Sequence, residues 1–135
     1  MTFYCHYFYQ MFLQCHSYFS LRYGILSPKD LLLRIASQSV ESAANPIPVC
    51  LTDINNVSGI PDFFREAKQY PQIQPCAGID FREGETGGRC LYVGIAENET
   101  GFAEMNRFLS QYRLSGKKLP SWPPKLDFAN FIFPF

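Results

Sequence analysis

The sequence predicts a mixed α/β fold, a parallel sheet or barrel built by crossover connections. Three observations lead there. Short apolar runs alternate along the chain with segments of helical periodicity. Three of those runs end in a single chemically capable residue, His16, Asp53 or Asp80, and strand C-termini are where such folds gather ligands. The chain has 135 residues and is 47% hydrophobic, enough for one core of ordinary size and too little for a second full domain.

Each element has a local justification. The run "MFLQCH" reads as a strand ending at His16, closed by the polar turn "SYFSLRYG". In "SPKDLLLRIASQS", Ser27 is a good N-cap, Pro28 suits the first helical position, and Asp30 stands where a carboxylate satisfies free amides. Leu31, Leu32, Ile35 and Ala36 form that helix's apolar stripe. "SVESAANPIP" ends it, since its prolines cannot continue a helix.

"PVCLTD" is a second strand ending in Asp53, followed by the turn "INNVSG" and a helix over "IPDFFREAKQY" with Phe63, Phe64 and Ala67 on one face. "QPCAGIDF" and "RCLYVGIA" are strands on either side of the turn "EGETGG". "NETGFAEMNRFLSQYR" is a helix with Phe102, Met105, Phe108, Leu109 and Tyr112 on one side. A proline-rich connection leads to a last apolar strand in "FANFIFPF".

Composition excludes several classes of function. Twelve basic residues balance twelve acidic ones, so no net field draws the chain to phosphate backbones. Five cysteines without a CxxC pair suit buried reduced thiols and a cytoplasmic location. The aromatic segment of residues 1–10 has neither a basic start nor a cleavage site, and no apolar run nears the length of a bilayer span. "CHYFY" and "CHSYF" lack the spacing of a zinc module. "GETGG" joins two strands instead of opening a helix and is no phosphate loop. With His6 and His16 as the only histidines, no Ser-His-Asp set assembles.

His16, Asp53 and Asp80 at three strand ends are a donor set that suits Zn, Mn or Fe. Each also has an ordinary reading as a turn cap, and Asp53 before "INN" is a candidate for an Asx-type turn.

The order "CHSYFSLRYG", "LTDINNVSG", "QPCAGIDFRE" and "YVGIAENETGFAEMNRFLS" resembles the N-terminal PHP (polymerase and histidinol phosphatase) domain of bacterial DNA polymerase III alpha subunits, in register from Met11 to about Ser110. The resemblance implies a partial distorted (β/α) barrel of the PHP type, roughly the first half of a seven-stranded barrel, over residues 11–135. It makes residues 1–10 a leader or an overextended start.

Metal-binding members of this family hold cations with His, Asp and Glu at strand ends. Carried over by position, the resemblance implies a degenerate site. Gln14 replaces the first His of H-x-H-S while His16 and Ser17 remain. Tyr23 stands for an Asp, Ile54 for the His of "TDH", Asp80 for a Glu and Leu91 for a further His. Two ligands, His16 and Asp80, cannot close a tetrahedral site or the metal cluster of phosphoester hydrolysis. The expectation is therefore no metal and no catalytic residue, with Asp53 serving its turn and His16 a hydrogen bond within its own turn.

The function implied is a metal-free structural segment in DNA replication. Polymerase and nucleotidyltransferase chemistry would belong to a palm region outside these motifs. Partners would be the remainder of an alpha chain or other replisome subunits, with DNA contacted only indirectly and no membrane. Two alternatives stand beside it. One is a small phosphoesterase recruiting Zn or Mn through Gln14, His16, Asp53 and Asp80. The other is an interaction module that pairs with a polymerase subunit, or with itself, through an open barrel edge.

Overall fold

The computed structural model describes residues 11–38, 44–84 and 87–134. The expected leader, residues 1–10, lies outside the described residues. The elements run β1 (Phe12–Cys15), α1 (Pro28–Gln38), β2 (Ile47–Leu51), α2 (Ile60–Ala67), β3 (Ile73–Arg82), β4 (Cys90–Ala96), α3 (Glu99–Ser115) and β5 (Ala129–Ile132). They form one open five-stranded sheet in the order β1-β2-β3-β4-β5. Strands β1, β2 and β3 are parallel neighbours, each joined to the next through a helix as parallel pairing requires.

The expectation of a parallel sheet holds only for this first half. Strand β4 lies antiparallel to β3, and β5 antiparallel to β4. The reason is connection length: only residues 83–89 separate β3 from β4, room for a hairpin and not for a crossover. Among the described residues strand β5 is an edge of the sheet.

Local signals place the helices. The Ser27 hydroxyl accepts from the Asp30 amide at 3.1 Å and donates to the Asp30 carboxylate at 2.7 Å, a reciprocal cap for α1. Asn98 caps α3 by accepting from the Gly101 amide at 3.0 Å, and Gly116 ends that helix in the left-handed conformation, φ 66°. Proline stands in the first turn of α2, where its missing N–H removes nothing.

All three helices cover the same face of the sheet. Leu32 and Ile35 of α1 and Ile60, Phe63 and Ala67 of α2 pack with Val49, Leu51, Ile73 and Ala77. Met105 and Leu109 of α3 pack with Ile79, Phe81 and Tyr92. Residues 73, 77, 79 and 81 share one side of β3 by strand alternation, so the winding is one-sided, as in a barrel and unlike a doubly wound sheet. Phe64 departs from the expected α2 stripe and is 38% exposed. It lies a third of a turn from Phe63, and Ile60, Phe63 and Ala67 at spacings of three and four fill the buried stripe instead.

Among the described residues no helix is long and apolar enough to cross a membrane.

The seat of β5 depends on one close approach. The Phe128 carbonyl accepts from the Glu97 amide at 2.9 Å, and a Cβ at Gly101 would stand 1.9 Å from that same oxygen. Gly101→Ala should therefore destabilise the fold by about 2 kcal/mol through overpacking, despite alanine's helix propensity, gaining about 1 kcal/mol over glycine. Urea denaturation checks this. An unchanged or raised midpoint would refute the packing described for α3 and β5.

Candidate functional site

The C-terminal ends of β1, β2 and β3 meet, and two buried carboxylates organise what gathers there. Asp53 follows β2 and is 1% exposed. Its Oδ1 accepts from the Ser17 amide at 2.7 Å and the Ser20 hydroxyl at 2.6 Å, and its Oδ2 from the Ser17 hydroxyl at 2.6 Å. Asp53 thus closes the neighbouring turn after β1, and the Asx-type turn within "DINN" is not where its side chain goes. Ser20 relays the link, since its hydroxyl also accepts from the Ile54 amide at 2.9 Å.

Asp80, fully buried on β3, receives donors from two strands. Gln14 Nε2 lies 3.1 Å and His16 Nε2 2.9 Å from its Oδ2. Arg82 approaches both oxygens through Nε at 3.1 Å and Oδ2 through Nη2 at 2.9 Å. His16 therefore reaches across the sheet to Asp80 and not into its own turn, because a buried carboxylate is the stronger acceptor. Burial alone would raise the Asp80 pKa, but hydrogen bonds from His16 and Arg82 outweigh it and hold the group at about 2, below its ordinary 3.8.

Arg82 was not among the residues the sequence singled out, yet strand alternation puts it on the same side as Asp80, two positions earlier. Its guanidinium carbon stands 4.5 Å from the centroid of the Tyr23 ring, in cation–π range. Tyr23 is fixed in turn by donating its hydroxyl to the Gly87 carbonyl at 2.9 Å. Cys90 is the second residue missed. Its thiol is pushed up to about 11 by burial first and by Asp80 beside it; as the opening residue of β4 it carried no sequence signal.

The expected site positions divide accordingly. Gln14, His16, Tyr23 and Asp80 assemble around Arg82. Ile54 continues the strand line through an isolated parallel bridge to Asp80. Leu91 is not brought to the cluster; it packs in the apolar core with Phe81, Met105 and Leu109.

A cleft of about 240 Å³ is lined in part by Arg82, and one of about 250 Å³ by Ser20, Ile54 and Gly87; the two share Asn55 and Arg113. Arg113 donates to the Asn55 carbonyl at 2.9 Å. Asn55 itself has φ 47° and pins the end of β3 by accepting from the Arg82 amide at 3.0 Å.

Residues 13–130 match the PHP domain family, and the chain belongs to that family. No curated protein matches the sequence.

Arg82 sets an ion pair that is nearly dry, its side chain 13% exposed against a fully buried Asp80. Arg82→Leu leaves the carboxylate without its strongest donor and should cost about 3 kcal/mol, whereas Arg82→Leu with Asp80→Asn should cost less than the single change. Chemical denaturation of both variants checks the ordering; a double variant weaker than Arg82→Leu alone would contradict it. The low Asp80 pKa also fixes a pH window. Stability from this group is complete above its unfolded pKa, near 4, and is lost as pH falls toward 2, by roughly 2 kcal/mol in all. Denaturation between pH 5 and 2 should show that loss in the natural chain and a smaller one in Arg82→Leu with Asp80→Asn.

Proposed function

We propose that this chain is a metal-free structural segment of a bacterial replicative DNA polymerase III alpha subunit, serving DNA replication as a packing scaffold and not as a catalyst. The observation that carries the reading is the guanidinium of Arg82 on both oxygens of Asp80, under the ring of Tyr23. Where a metal-binding relative would hold an external cation among ligands, this chain supplies its own.

A divalent ion does not fit the donor set. The one carboxylate of the cluster is engaged by Arg82, and the imidazole of His16 and the amide of Gln14 are spent on the same carboxylate. A dication would have to enter beside the fixed positive charge of Arg82. Asp53 cannot help, since both of its oxygens serve the Ser17–Ser20 turn. This argues against a Zn- or Mn-dependent phosphoesterase. The polymerase context is supported by the four motifs and their order. Strand β5, an edge carrying Phe131 and Ile132, offers a line of backbone groups to the remainder of an alpha chain or another replisome subunit, with DNA reached only through that partner.

Two measurements test this. After dialysis against Mn²⁺ or Zn²⁺, the protein should retain far less than one ion per chain by elemental analysis and should not hydrolyse p-nitrophenyl phosphate; one tightly held ion per chain would overturn the metal-free reading. Mixed with an alpha chain lacking its PHP segment, it should elute as a stoichiometric complex in size-exclusion chromatography. Separate elution would overturn the scaffold reading while leaving the first result standing.

A further inference from the structure

Two of the cysteines are cross-strand partners in the parallel pairing of β2 and β3, with Cys50 directly opposite Cys76. In-register neighbours on adjacent strands project to the same face and stand about 4.8 Å apart across the ladder, inside the roughly 4.4–6.8 Å Cα separation that a disulfide spans. The two differ sharply in access. Cys50 is 1% exposed, whereas Cys76 is half-buried and touches the Gln74 carbonyl at 3.8 Å through its sulfur. Both are free thiols.

We propose that Cys50 and Cys76 form an oxidisable dithiol, in which a hydroperoxide attacks at Cys76 and Cys50 closes the product to a disulfide between β2 and β3. The electrostatics agree with the order of events. The neighbouring Cys50 thiol favours the thiolate at Cys76 and holds that group below the ordinary thiol range, while Cys76 and burial push Cys50 upward. The other described cysteines are poor competitors. Cys15 pairs with Leu51 and packs in the helix-side core, Cys90 lies against Asp80, and burial raises each to about 11.

The chemistry balances. The Cys76 thiolate takes one oxygen of the hydroperoxide, the O–O bond breaks, and the leaving alkoxide or hydroxide acquires the thiol proton, giving a sulfenic acid. The Cys50 sulfur then displaces hydroxide from the Cys76 sulfur; the S–O bond breaks, and the Cys50 proton leaves in water. Two thiols lose two electrons and two protons, and the peroxide is reduced to an alcohol or water, with one further water released.

The test is hydrogen peroxide on the folded full chain, followed by alkylation and tryptic mapping. Cys50 and Cys76 fall in separate tryptic segments, 35–65 and 69–82. The expected product is those two segments joined, two hydrogens lighter than their sum and separated by dithiothreitol, with both thiols lost about tenfold faster than Cys15 or Cys90. In Cys50→Ala, Cys76 should instead proceed to sulfinic acid. The proposal is overturned if, in the natural chain, Cys76 reaches sulfinic acid while Cys50 remains alkylatable, if neither thiol reacts faster than Cys15, or if Cys76 links to Cys5, Cys15 or Cys90 in place of Cys50. The mapping reads the natural chain directly, so its outcome does not depend on a variant folding.

Discussion

The ion pair between Asp80 and Arg82 is the constraint on which the strand-end region depends. A carboxylate with no solvent contact must be answered by donors, and its answer here comes from Gln14 on β1, from His16 just after it and from Arg82 on β3. The backbone joins in: the Asp80 amide donates to the Asp53 carbonyl at 3.1 Å, and the Asp80 carbonyl accepts from the Asn55 amide at 3.0 Å. One residue therefore holds three consecutive strand ends in register. Breaking a buried pair from one side is in general costlier than removing both partners.

Asp53 plays the complementary part. Its hydrogen bonds from Ser17 and Ser20 fold the turn after β1 back over β2, and that turn brings Tyr23 above Arg82. The sequence of dependence runs from Asp53 to the turn, from the turn to Tyr23, and from Tyr23 to the guanidinium that neutralises Asp80. Gln14, Tyr23 and Ile54 contribute to this cluster a donor to Asp80, a ring against Arg82 and a strand bridge. The cation that answers Asp80 in this cluster is the Arg82 side chain of the same strand.

Much of the fold could be read from local signals. Ser27 caps α1 where its sequence neighbourhood puts it, and every expected strand and helix has a counterpart. What escaped was decided by geometry beyond a few residues. The direction of β4 turns on the length of a connection, and the exposure of Phe64 on which of two adjacent aromatics falls on the stripe shared with Ile60 and Ala67. At the site, the residues at strand ends were legible as polar residues at apolar run termini, but their partners were not. His16 and Asp80 are 64 positions apart, and nothing local says that one answers the other. Arg82 was within reach, since an arginine two positions beyond a strand carboxylate shares its face.

Arg82 and His16 keep Asp80 ionised well below the ordinary carboxylate range. The Asp80 side-chain carboxyl carbon reports this directly through an NMR titration from pH 6 downward. A midpoint at about 2 is expected, with the Arg82 guanidinium resonances shifting over the same range. A midpoint at or above the ordinary carboxylate value, near 4, would contradict it, because the arginine would then not be holding the charge that organises the strand ends.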